Sequence, residues 1–145
     1  MTDTDAWTDP VAVGLIGAGW IGAFHGETLA RRLPGARLVG VADPAPGAAE
    51  RLAGSLGAPK ATTDPAELLA DPAVEAVLIA APARFHADLV EAAAGAGKAV
   101  FCEKPMALTV ADADRAIAAG RLRPVDAEPL LGVLGMGTAR EEAST

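Results

Sequence analysis

The run Val11-Ala12-Val13-Gly14-Leu15-Ile16-Gly17-Ala18-Gly19-Trp20-Ile21-Gly22 constrains this chain more than any other stretch. Its apolar first half suits a parallel strand buried on both faces, and the glycines that follow suit a tight turn. Gly17, Gly19 and Gly22 fit G-x-G-x-x-G, and residues 24–33 read as a helix behind them. Each glycine has its own task in that setting. Gly17 permits the turn off the strand, Gly19 removes the Cβ that would block a pyrophosphate, and Gly22 lets the helix pack close to the strand. The helix N-terminus, with its N–H groups and positive dipole end, then faces the phosphates. Asp43 ends the next apolar run about 21 positions after Gly22, near the spacing of roughly 20 at which an acid meets the ribose. Glycine is frequent here, 16 in all, so the spacing alone decides little. Strand, turn, helix and acid in that order predict a dinucleotide site.

A length of 145 residues suggests one domain with a sizeable core. Hydrophobic residues make up 51% of the chain and aromatics only 3%, which excludes wholesale disorder and leaves Ala, Val, Leu and Ile to build the core. The net charge is −7 and the arginines are scattered, which argues against nucleic-acid binding. A single cysteine, Cys102, forms no internal disulfide and fits a reducing compartment. Residues 1–9 are acidic and polar, without the pattern of a secretory signal, and read as a flexible tail. No apolar stretch approaches the ~18 residues of a membrane helix. The expectation is a soluble, cytoplasmic, Ala-rich domain with neither membrane nor nucleic acid as partner.

Along the chain, strands are expected at residues 11–16, 36–42, 60–62, 74–80 and 99–102. Helices are expected at about 21–32, 46–56, 85–95 and 110–119, with a short one opened by Asp64 as N-cap and Pro65 at its first position. Gly57 stops the second helix and Thr109 caps the last. Strand and helix alternate, which is the mark of an α/β, doubly wound parallel sheet. Ligands of such sheets bind beyond the carboxyl ends of the strands. The Gly17–Gly22 turn, Asp43, Ala81-Pro82 and Glu103-Lys104-Pro105 all fall at those ends. Residues 10–120 therefore form the dinucleotide-binding domain. The pattern changes after Gly120, and 121–145 read as a divergent tail with one candidate edge strand at 130–134. An uncovered sheet edge would favour oligomers.

Asp43 at the end of the second strand can accept hydrogen bonds from both adenosine ribose hydroxyls and repel a 2′-phosphate, favouring NAD over NADP. No arginine follows it at once, and Arg51 sits a helix away. The plainer reading is an Asp-Pro turn former. Lys104 at a strand end can bond a substrate hydroxyl or the nicotinamide ribose and stabilise an alkoxide; otherwise it is a solvated loop lysine. Glu103 can pair with Lys104 or orient the loop, and Pro105 can follow a cis bond. His86 opens a helix near the cofactor edge, whereas His25, on the first helix, reads as a packing or capping residue. Trp20 either shields the pyrophosphate or packs. Cys102 inside an apolar strand is inert, and no metal-ligand spacing is present.

These landmarks resemble the Gfo/Idh/MocA oxidoreductases, the glucose–fructose oxidoreductase and inositol dehydrogenase relatives. The resemblance is carried by Gly17-Ala18-Gly19-Trp20-Ile21-Gly22 with His25, then Asp43, Ala81-Pro82 to His86, Ala96-Gly97-Lys98 and Glu103-Lys104-Pro105. It covers about residues 10–120 and implies a Rossmann domain that binds NAD through Gly17, Gly19, Trp20, Ile21, Gly22, Asp43, Ala81, Pro82, His86, Glu103 and Lys104. It also implies hydride transfer on sugars or polyols, with Lys104 as the matching catalytic lysine. Ala81 stands where the family usually has Thr. The family's second α+β domain, which brings most of the substrate pocket, has no counterpart in the 145 residues. The chain is thus expected to be a truncated relative, incomplete alone, and to act on a sugar or polyol only if a second domain is supplied. The alternative is a non-catalytic NAD-binding module or remnant. A methyltransferase using S-adenosylmethionine also pairs a glycine turn with an acid, but Gly22 and Glu103-Lys104-Pro105 count against it. No Gly-Lys-Ser/Thr follows the turn, which excludes P-loop chemistry.

Overall fold

The strands β1 (Val11–Ile16), β2 (Ala36–Ala42), β3 (Lys60–Thr62), β4 (Ala76–Ile79) and β5 (Ala99–Cys102) pair in parallel in one sheet, in the order β3-β2-β1-β4-β5. Between and after them run α1 (Trp20–Arg31), α2 (Ala48–Leu56), α3 (Pro65–Ala70), α4 (His86–Gly95) and α5 (Val110–Ala119). The structure, a computed structural model, describes residues 9–120. The N-terminal tail over 1–8 and the candidate edge strand at 130–134 lie outside the described residues. Strand order reverses between β1 and β4, which opens a crevice beyond their carboxyl ends.

Local chemistry sets most boundaries. Asp64 accepts the Ala66 N–H at 2.9 Å and Thr109 accepts the Asp112 N–H at 3.1 Å, so both caps form as their residue types dictate. Three elements are shorter than their apolar patterns suggest. β4 begins at Ala76 rather than 74, because Val74 N–H bonds the Asp71 carbonyl in a turn. α2 begins at Ala48 rather than 46, because Gly47 takes the left-handed conformation at φ 76°. α4 begins at His86, since residues Ala83–Phe85 form one 3-10 turn instead.

The two faces of the sheet carry separate cores. Val13, Leu15, Val41, Ala76 and Leu78 meet Leu29 of α1 with Ala49 and Ala53 of α2. Ile16, Val77 and Ile79 meet Leu68 of α3, Ala87, Val90 and Ala93 of α4, and Ala116 of α5. Neighbouring residues of β1 and β4 thus face opposite layers, which is why both strands read as unbroken apolar runs. Fully buried side chains such as Leu15, Leu68 and Ile79 each contribute roughly 1.5–3 kcal/mol from burial. The buried hydrophobic core contains no aromatic side chain among the described residues, and Phe101 packs against its margin.

Candidate functional site

The first wall of the crevice is the turn from β1 into α1. Gly17 has φ +106°, and a Cβ there would lie 2.6 Å from the Ala80 carbonyl carbon, so it is fixed both by conformation and by the close passage of the β4 exit. A Cβ on Gly22 would stand 1.9 Å from the Gly17 carbonyl oxygen, so α1 packs on the turn itself. Gly19 is different. A Cβ there would meet nothing within 4 Å. Nothing in the packing of the described residues requires glycine at 19, and the open space beside it is where the sequence places a pyrophosphate.

The start of α1 fits that ligand. Gly19 is its N-cap with no side-chain cap, and the first turn carries no acidic residue. The leading N–H groups of a helix have no intrahelical partners, so Trp20, Ile21 and Gly22 sit where an anion is stabilised. Trp20 is 81% exposed and Ile21 is exposed as well, so neither side chain is part of the core.

Asp43 closes the β2 side. Its Oδ2 accepts the Ala18 N–H at 2.8 Å and its Oδ1 accepts the Ala45 N–H at 2.8 Å. The carboxylate therefore shapes its own turn and fastens it to the glycine turn at once. Lone pairs left on both oxygens can still receive ribose hydroxyls.

The other wall comes from β4 and β5. Ala81 is half-buried and Pro82 is exposed at the exit of β4. The His86 side chain lies beneath this edge rather than on it, only 1% exposed. Its Nε2 is 2.6 Å from the Ala81 carbonyl oxygen and its Nδ1 is 2.7 Å from that of Pro105. The ring joins the two loops of the edge, with both nitrogens turned to these carbonyl oxygens. Lys104 is exposed, without a hydrogen-bond or ion-pair partner among the described residues, and precedes a cis peptide to Pro105.

Glu103 does not pair with Lys104. Its Oε2 meets His25 Nε2 at 3.0 Å, which ties the end of β5 to α1. The His25 ring also packs edge-on against Phe24 and Phe101, with centroids 5.8 and 5.9 Å apart. His25 is therefore the packing residue its helical position implied. Burial, with the Glu103 charge behind it, pushes the Cys102 thiol up to about 11, which keeps it protonated and inert. No group of three His, Cys, Asp or Glu side chains could hold a metal among the described residues. The sequence missed one residue at this edge: Arg51 lines a groove with Ala18, the residue bonded to Asp43.

Residues 11–125 match the family model described as oxidoreductase family, NAD-binding Rossmann fold. The chain belongs to the Gfo/Idh/MocA oxidoreductase family. The described domain is its NAD-binding Rossmann domain, and no helix in it is long and apolar enough to cross a membrane. The chain is 41% identical over 106 residues to scyllo-inositol 2-dehydrogenase (NAD(+)) of Bacillus subtilis, covering 73% of this chain and 31% of that protein. It is 49% identical over 105 residues to inositol 2-dehydrogenase of Rhizobium meliloti, covering 72% and 30%. Among solved structures it is similar to scyllo-inositol dehydrogenase from Lactobacillus casei with bound NAD(H) and scyllo-inositol, at TM-score 0.73 and 26% identity over 77% of this chain and 33% of that one. The chain thus spans about a third of the length of these relatives.

Proposed function

We propose that this chain supplies the cofactor half of a polyol dehydrogenase of the inositol type, with Lys104 as its catalytic residue. The observation that carries the reading is the convergence on one crevice of the open Gly19 cradle, the Asp43 carboxylate and the exposed Lys104. Bound NAD supplies the hydride acceptor; the protein's own residues bind, orient and hold charge. The α1 N-terminus faces the pyrophosphate, and Trp20 and Ile21 flank it. Asp43 takes the ribose hydroxyls, and Ala81 and Pro82 line the nicotinamide side. His86 and Glu103 hold the two loops of that side through the Ala81 and Pro105 carbonyls and through His25. Lys104 donates a hydrogen bond to the substrate oxygen and stabilises its developing negative charge, while the hydroxyl proton passes to a base on the further polypeptide and the hydride to the cofactor. The substrate pocket comes from further polypeptide, so the 145 residues alone bind cofactor without turnover. The free Cys102 thiol accords with a reducing, cytoplasmic setting, and β5, the last strand of the sheet among the described residues, offers an edge for oligomers.

A chimera tests this: residues 9–120 replace the corresponding part of the Rhizobium meliloti inositol 2-dehydrogenase. Inositol-dependent reduction of NAD, falling roughly 100-fold or more in Lys104→Met with NADH binding kept, is the expected result. A folded chimera that binds NADH but never turns over would instead identify a non-catalytic module.

A further inference from the structure

A groove of about 270 Å³ lined by Ala18, Ala48, Arg51, Leu52 and Ser55 runs between the glycine turn and α2. Ala18 places this groove, because its N–H is held by the Asp43 carboxylate at 2.8 Å. The groove therefore opens beside the group assigned to the ribose hydroxyls. Arg51 folds back from α2 over Gly47. A Cβ on Gly47 would lie 2.7 Å from the Arg51 Nη1, so glycine at this left-handed position also makes room for the guanidinium. No carboxylate lies within ion-pair distance of Arg51 among the described residues, and its side chain makes no hydrogen bond among them. The other charges nearby are Glu50, next to it on α2, and Arg31, whose Nη2 donates to the Ser55 carbonyl at 2.9 Å on the groove's rim.

We propose that Arg51 is a second cofactor-selecting residue, its guanidinium facing the ribose 2′ position and offsetting the repulsion that Asp43 exerts on a 2′-phosphate. The inference rests on the dinucleotide site being where the glycine turn and Asp43 put it. Arginine suits the task because its planar fork of N–H donors matches a phosphate bidentately. An uncommitted guanidinium needs no rearrangement of an existing ion pair to do so. NAD places only a hydroxyl there, which Asp43 already serves. Arg51 thus adds affinity for NADP and little for NAD, and the domain accepts both cofactors, NAD first.

The test is a pair of titrations of the full 145-residue chain, with NADH and with NADPH, at low and at high salt. Arg51→Ala is expected to weaken NADPH roughly 10-fold or more while NADH changes less than about twofold. Arg51→Lys should recover part of the loss, and only NADPH binding should steepen in its salt dependence. Equal weakening of both cofactors would overturn the proposal in favour of Arg51 stacking on the adenine. No change in either would make Arg51 a solvated helix cation, and parent binding of NADH without any NADPH binding would overturn it too. A parent chain that binds neither cofactor would instead overturn the dinucleotide site itself, and the proposal with it.

Discussion

The Asp43 carboxylate accepts the Ala18 N–H at 2.8 Å across 25 positions of chain, which makes the end of β2 and the glycine turn of β1 one rigid unit. Its second oxygen holds the Ala45 N–H, so a single side chain shapes two loops of the crevice. Removing the carboxylate therefore affects stability and binding together. Asp43→Ala is expected to cost roughly 1–3 kcal/mol in urea unfolding and to weaken NADH at least ~10-fold. Asp43→Asn keeps an acceptor oxygen but loses the charge, so it should retain more stability and bind NADPH better than the parent. An Ala variant with the parent's NADH affinity would remove Asp43 from the site.

The three glycines of the turn separate folding from binding. Gly17→Ala forces a side chain into φ +106° and against the Ala80 carbonyl, and should destabilise by on the order of 1–3 kcal/mol. Gly19→Ala meets no neighbour, so thermal unfolding should stay near the parent's while NADH binding collapses. Energy transfer from Trp20, exposed at the mouth of the turn, gives a direct readout of the bound cofactor. Unchanged NADH affinity in Gly19→Ala would show that no pyrophosphate lies there.

Much of this was legible in the residues because it is local. β1, β2, β3 and β5, the Asp64 and Thr109 caps and the stop at Gly57 follow from apolar runs and cap chemistry that act within a few positions. Asp43 was visible through spacing, and its turn-forming reading is seen directly in the bonds from Ala45 and Ala18. The partners of Glu103 and His86 were not visible. His25 lies 78 positions from Glu103, and Pro105 lies 19 from His86, contacts that exist only once the helices dock on the sheet. Arg51 follows the same rule: in sequence it lies a helix away from Asp43, and in space it shares a groove with Ala18.

His86 supports the edge from below, so its loss should show in stability before it shows in chemistry. The ring is buried and its two nitrogens face the Ala81 and Pro105 carbonyl oxygens. His86→Ala leaves a cavity and two carbonyls without this partner, at an expected cost of about 2–5 kcal/mol. His86→Gln can restore a donor to one carbonyl and should recover part of that loss. Hydrogen exchange would locate the effect: the loops at 81–85 and 103–107 should lose protection before β1 does. Uniform loss across the sheet would assign His86 to the core alone.

At the opposite edge of the sheet, Asp71 links stability to pH. Its side chain bonds Lys60 and accepts the Ala73 N–H at 2.8 Å, while Lys98 donates to its backbone carbonyl at 2.8 Å. The hydrogen bond from Lys60, then that from Ala73, hold its carboxyl below the usual value. A lowered value in the fold means that the folded state favours the ionised form. The contribution is complete above the unfolded value of about 3.9 and is lost as pH falls through the lower folded one. The Lys60 side chain is 42% exposed, so solvent screens the pair and the effect is a modest one. Asp71→Asn should lower the urea midpoint near neutral pH, and the gap from the parent should close as both are acidified from about pH 5 to about pH 2. A gap that keeps its size over that range would mean that the Ala73 turn, rather than the charge on Asp71, is what the carboxylate contributes.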